Sequence, residues 1–146
     1  MLTAQTYHAH THGCPTDRVV LSYEDRFLRR RVLALVSGER LLVDLPQTTS
    51  LDHGSVLVTT EGREIAVEAA PEPLLEICGD NLTRLAWHIG NRHTPCQIEA
   101  DRLLIQANHV MADMLTRLGA SPREVTEPFT PEGGAYGHGR THGHSH

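Results

Sequence analysis

Eleven of the 146 residues are histidine, and they are unevenly placed. Neutral imidazole is the commonest protein ligand for borderline metals, so this bias is itself a metal signal. The densest group is His138-Gly-Arg-Thr-His142-Gly-His144-Ser-His146, four imidazoles on a glycine-bearing C-terminal stretch without periodicity. Such donors suit Ni(II), Zn(II) or Cu(II), with preference set by availability and geometry. An open, exchangeable set fits capture and hand-over better than catalysis. At the other end, His8, His10, His12 and Cys14 fall at every second position and would project to one side of an extended chain. Two readings stay open there: metal affinity, or a polar start with incidental histidines.

Two further histidines stand out by position. The segment Trp87-His88-Ile89-Gly90-Asn91-Arg92-His93-Thr94-Pro95 follows an amphipathic pattern. Gly90 is expected to stop that helix, as a residue tolerant of the left-handed conformation, and Pro95 blocks its continuation. His93 is thereby placed on a short, exposed loop past a helix end, a position suited to a functional side chain. On local grounds alone an ordinary helix exit with a surface histidine is the favoured reading. His109 opens a second apolar pattern and points away from Met111, Leu115 and Leu118 by the helical angle per residue. If Asn108 caps that helix, His109 stands in the first turn, where the dipole disfavours a cation and a neutral imidazole is available for metal. A plain surface histidine is the other reading. His88 beside Trp87, and His53 in a turn, are expected to be structural or surface polar.

Other chemistries are excluded or unsupported. All 13 basic residues are arginine, so a Walker A loop and Schiff-base chemistry are ruled out. The net charge of −5 argues against a nucleic-acid binder. Three cysteines, Cys14, Cys78 and Cys96, with no Cys-x-x-Cys indicate neither a disulfide framework nor a tetrathiolate site. Cys96 is expected as a small buried apolar side chain. No His-Glu-x-x-His, Gly-x-Ser-x-Gly or glycine-rich phosphate loop occurs. No apolar stretch reads as a signal peptide or membrane span, so a cytoplasmic protein without membrane contact is expected.

The elements that must hold these histidines fall into two blocks. Residues 1–17 show little periodicity. Across 18–70, short β-rich runs (Val19–Leu21, Arg31–Val36, Leu41–Leu45, Ser55–Thr59 and Ile65–Glu68) are separated by turn signals, predicting a small, mainly antiparallel sandwich or barrel. Arg29-Arg30-Arg31 fits a charged strand edge or a partner-binding patch. Pro71-Glu72-Pro73 reads as a boundary. Across 71–128 come a strand over Leu74–Cys78, a helix capped by Asp80 or Asn81 with Leu82, Leu85, Ala86 and Ile89 on one face, and a hairpin of Gln97–Glu99 with Leu103–Gln106. A helix closed by Gly119 and a last strand over 123–127 follow. The order β-α-β-β-α-β is that of a ferredoxin-like domain, so the fold class is α+β: a small all-β domain, then a ferredoxin-like one. Residues 129–146 read as a flexible His-rich tail.

Ala86-Trp87-His88-Ile89-Gly90-Asn91-Arg92-His93-Thr94-Pro95, then His109-Val110-Met111-Ala112-Asp113-Met114-Leu115, Leu118-Gly119 and a histidine-bearing tail resemble the urease accessory protein E (UreE) family of nickel metallochaperones. The resemblance spans about Arg18 to the end. It implies a homodimer whose metal-binding domains meet face to face, with His93 of both protomers in one shared nickel site fed by tail histidines. It implies delivery of nickel to the urease apoprotein alongside an accessory GTPase, and a partner-binding first domain. Some members carry His-x-His at the start of the last helix; here Ala107 replaces the first histidine and His109 alone remains. The N-terminal histidine cluster is no part of the resemblance. The alternative function is general Ni, Zn or Cu buffering without delivery.

Overall fold

A computed structural model describes residues 1–133, which divide into two compact units meeting at Ala70 and Pro71. The architecture is α+β: a strand-rich first unit and a mixed second unit with two helices.

The first unit is a six-stranded sheet of β1 (Leu2–His8), β2 (Asp17–Leu21), β3 (Phe27–Ala34), β4 (Arg40–Ser50), β5 (Val56–Thr59) and β6 (Glu64–Ala69), in the order β2-β6-β5-β1-β4-β3. The β1–β4 and β2–β6 pairings are parallel, the rest antiparallel. All six strands send apolar side chains into one core, including Ala4, Val19, Leu28, Leu41, Val43, Leu57, Ile65 and Val67. The sheet curls around that core until its outer strands approach: the Val36 N–H just past β3 donates to the Arg18 carbonyl of β2 at 2.9 Å, and the Ser37 hydroxyl hydrogen-bonds Asp17. Burying each large side chain contributes about 1.5–3 kcal/mol. Arg26, only 3% exposed, ties the ends of the curl, donating to the carbonyls of Leu51 and Leu21 at 3.1 Å each, with its guanidinium 5.7 Å from the Tyr23 ring centre.

The sequence pattern missed β1, which runs through the middle of this sheet between β5 and β4. Only Leu2 and Ala4 turn apolar groups inward, and a register shift between Ala4 and Thr6 interrupts the alternation. Long-range pairing on both sides, rather than local pattern, makes it a strand. The Arg29–Arg31 run lies on edge strand β3 and forms long, solvated pairs with Asp44 (3.9 and 3.8 Å) and Asp25 (3.5 Å), so edge protection describes it. His53 is more than surface polarity: its Nδ1 accepts the Ala69 N–H at 3.0 Å.

The second unit is built from β7 (Pro71–Cys78), α1 (Leu82–Asn91), β8 (Gln97–Ile98), β9 (Leu103–Gln106), α2 (His109–Arg117) and β10 (Ser121–Pro128). Its antiparallel sheet has the order β10-β7-β9-β8. That is the interleaved order of two split βαβ units, the ferredoxin-like plan. Leu75, Ile77, Leu103 and Ile105 face the helices and pack with Leu85 and Ile89 of α1 and Met111 and Leu115 of α2. Arg102, in the turn between β8 and β9, ties that turn to β7 and β10 through bonds of 2.8–3.2 Å to Glu99, Glu76 and Glu127. Its hydrogen bonds hold the Glu76 and Glu127 carboxyls below their ordinary pKa.

Two expectations are refined here. The Pro71-Glu72-Pro73 boundary falls where the second unit starts, but it does not leave the prolines unpaired: they begin β7, opposite Pro128 and Thr126 of β10. The Pro73 carbonyl accepts the Ala107 N–H on the side where β9 has just ended, so the donor that proline lacks faces no strand. Nor does the chain become free at residue 129. Phe129 is fully buried, Thr130 N–H donates to Gln97 Oε1 at 2.8 Å, and Glu132 N–H to the Cys96 carbonyl at 2.9 Å. The chain leaving β10, at one edge of the sheet, is thereby fastened beside β8 at the other.

Candidate metal centre

α1 starts where Asn81 Oδ1 accepts the Arg84 N–H at 3.1 Å, replacing one donor lost at the helix start. It does not end where expected. Gly90 lies inside the helix, which continues to Asn91 with Arg92 as its C-cap. The left-handed residue is His93, at φ 57°, the one non-glycine residue with positive φ among those described. The His93 N–H donates to the Gly90 carbonyl at 2.9 Å and the Thr94 N–H to the Ile89 carbonyl at 3.4 Å. These two bonds form the Schellman motif, whose left-handed position glycine normally fills. An L-residue there costs about 1 kcal/mol, although histidine accepts it more readily than most. His93 is half-buried, so its ring is backed by the protein and directed by a fixed backbone.

α2 starts at His109. Asn108 Oδ1 accepts the N–H groups of Val110 at 2.9 Å and Met111 at 3.1 Å, the capping expected from the sequence. His109 is exposed on the first turn. The helices are antiparallel, because Arg84 near the start of α1 donates to the Leu118 carbonyl at the end of α2, at 3.4 Å. The end of α1 and the start of α2 therefore share one end of the unit. An open groove of about 440 Å³ runs there, lined by Arg92, His109, Val110, Asp113, Met114, Arg117 and Leu118. Each helix also exposes an apolar side chain, Trp87 of α1 at 63% and Val110 of α2 at 54%.

The remaining candidates separate. His88 is half-buried, its ring edge-on to Trp87 with centres 5.0 Å apart, in keeping with a structural role. Cys96 is half-buried, and burial pushes its thiol up to about 11, assisted by the charge of Glu132. A thiolate ligand is disfavoured there. His138, His142, His144 and His146 lie outside the described residues. Among the described residues, no three His, Cys, Asp or Glu side chains already converge to hold a metal. One unit thus supplies single imidazoles at one end of a helix pair, not a closed site.

The fold is thus a strand-rich unit joined to a ferredoxin-like unit that carries single histidines at its helix ends. Two family profiles match the chain, the UreE urease accessory protein N-terminal domain over residues 2–70 and its C-terminal domain over residues 72–146. The chain is 68% identical to the urease accessory protein UreE of Ruegeria sp. (strain TM1040) over 142 residues, 97% of this chain and 81% of that relative. It is 66% identical to that of Ruegeria pomeroyi over 130 residues, 89% of this chain and 87% of the relative. The Rhodobacter capsulatus protein is 56% identical, again over 130 residues. The chain belongs to the urease accessory protein UreE family.

Proposed function

We propose that the protein is a nickel metallochaperone of urease maturation, with Ni(II) as cargo rather than resident cofactor, and no catalytic activity of its own. The observation that carries this reading is His93, a metal-binding side chain kept at a backbone position that favours glycine. Strain persists where the surrounding structure over-determines it, and functional positions are where it gathers. One imidazole is too few ligands for tight binding, and a two-fold axis doubles it. A homodimer in which two copies bring their His93 residues together answers that need, and the exposed apolar pair Trp87 and Val110 gives such an interface something to bury. His109 stands at the same end as an accessory ligand, and His138, His142, His144 and His146 would feed or complete the site. Zn(II) and Cu(II) suit the same donors.

In this reading the dimer passes nickel to the urease apoprotein together with an accessory GTPase, in the cytoplasm, without nucleic acid or membrane partners. No described helix is long and apolar enough to cross a membrane. The first unit would carry partner contact. Buffering or sequestration of metal without delivery is the alternative, and the outcome of one experiment separates them: nickel-dependent activation of urease apoprotein in vitro. Activation that is enhanced by the protein and lost with His93→Ala supports delivery. Tight nickel binding with no activation supports buffering. Calorimetric titration should show His93→Ala abolishing the tightest nickel site with the fold intact; an unchanged tightest site would sink the assignment. Binding should weaken as pH falls below about 6.5, where imidazole protonates and competes with metal. Removing Gly137 onward should reduce the number of weaker sites and leave dimers, as read by light scattering.

A further inference from the structure

The N-terminal histidines are not explained by the reading above, which places the metal in the second unit. β1 ends at His8, paired with Val56 of β5. The turn that follows is fastened to Glu64 at the start of β6. Thr11 Oγ1 donates to Glu64 Oε1 at 2.6 Å, the His12 N–H to Glu64 Oε2 at 3.1 Å, and the Thr16 N–H to the Glu64 carbonyl at 2.9 Å. The Thr11 hydroxyl also closes the turn on itself, receiving the Gly13 N–H at 3.1 Å. His8 is thus held by a strand and His12 by a tied turn. Their exposed rings lie 4.8 Å apart, centre to centre, with the His10 ring 5.6 Å from that of His12.

That spacing has a chemical meaning. Imidazole nitrogens bind Zn at about 2.0–2.1 Å, and each lies roughly 1.1 Å from its ring centre, so two imidazoles on one ion have centres about 4.5–5.2 Å apart. The His8–His12 separation falls within that range, and the His10–His12 separation lies a few tenths of an ångström beyond it. His8 and His12 line an open hollow of about 510 Å³ together with Cys14, Glu61, Arg63 and Glu64. The Glu64 carboxylate accepts from the Thr11 hydroxyl and the His12 N–H. A carboxylate therefore stands beside the imidazoles, and its electrostatic attraction extends to any cation they hold. The three rings do not converge on one point; all three are exposed, so their side-chain torsions are free to turn toward a shared ion.

We infer that His8, His10 and His12 form a second metal site, in the first unit, that takes a borderline divalent cation such as Ni(II) or Zn(II) through three imidazoles with water completing the shell. The inference stands independently of His93 and of nickel delivery to urease.

The test uses the full chain. Titration with Ni(II), Zn(II) and, as an oxygen-preferring control, Mg(II) is compared for the natural protein, His8→Gln/His12→Gln and His93→Gly. The double variant should lose one Ni(II) or Zn(II) equivalent per chain, and His93→Gly should retain that equivalent while losing the tightest one. Site-specific paramagnetic broadening of the His8 and His12 ring protons by Ni(II) added beyond the amount that fills the tightest site, read by NMR on the unmutated chain, gives a measure that does not depend on the variant folding. An unchanged stoichiometry in a folded double variant overturns the site, as do ring protons that stay sharp at saturating nickel. Equal binding of Mg(II) at these rings would overturn the imidazole assignment. Loss of the tightest equivalent in both variants would also overturn it, since the N-terminal histidines would then belong to the His93 site.

Discussion

The two helices of the second unit end in the same hydrogen-bonded motif with opposite residues at its centre. At the end of α2, Gly119 has φ 91°, its N–H donates to the Thr116 carbonyl at 3.0 Å, and the Ala120 N–H donates to the Leu115 carbonyl at 3.0 Å. At the end of α1 the matching bonds are made by His93 and Thr94. Glycine adopts the left-handed conformation without steric penalty; histidine does not. The chain therefore uses the favoured residue at the end of α2 and a strained one at the end of α1. Helix termination alone would be served better by glycine at both. What histidine adds is an imidazole whose direction is set by a backbone locked on both sides.

The sharpest way to break this comparison is to make the two ends alike. His93→Gly should lower affinity at the tightest nickel site at least tenfold, given that even residues supporting a metal ligand are worth 10–100-fold. In chemical denaturation without metal it should raise unfolding stability, by up to about 1 kcal/mol. The opposed signs are the point. A variant that loses both binding and stability would mean that His93 holds the loop together, and its metal role would be unsupported.

The reciprocal change is Gly119→Ala. A Cβ there meets no atom within 4 Å, so the cost is conformational, about 1–2 kcal/mol of stability, with nickel affinity unchanged. A smaller contrast lies at the helix starts. Asn81→Ala and Asn108→Ala should each cost about 1 kcal/mol in thermal or chemical unfolding. Only Asn108→Ala should also weaken nickel binding, because only α2 opens on a candidate ligand, His109. Equal effects of the two cap variants on nickel would remove His109 from the site.

Much of this scaffold was legible in the sequence. The apolar positions Leu85, Ile89, Met111 and Leu115 have helical spacing, the Asn caps use short-range hydrogen bonds, and Gly119 is where a helix end asks for glycine; each signal is local. The short β9, with three consecutive buried residues (Leu103, Leu104 and Ile105), was readable from its apolar run. The illegible parts depend on distant chain. β1 is a strand because β4 and β5 flank it, and Pro71 and Pro73 pair because β10 lies alongside on the side where no proline donor is required. At the site, the types and order of His93 and His109 pointed to metal, but the antiparallel helix packing that brings their neighbours to one groove is a tertiary fact. The left-handed histidine was hidden because Gly90, three residues earlier, offered a more conventional stop.

That last point yields the smallest effect and a clean discriminator. If Gly90 were the left-handed terminator, alanine there would be strained and destabilising by about 1 kcal/mol. In the structure Gly90 lies within the last turn of α1, without positive φ, and a Cβ on it meets no atom within 4 Å. Glycine in a helix is worse than alanine by roughly 0.5–1 kcal/mol, chiefly through the freedom it loses on folding. Gly90→Ala should therefore stabilise the protein by a few tenths to about 1 kcal/mol in chemical denaturation. It should leave nickel affinity unchanged, because the hydrogen bonds that fix His93 are made by the backbone carbonyls of Gly90 and Ile89, which the substitution keeps. A destabilised variant would move the helix end back to Gly90, and with it the strain that singles out His93.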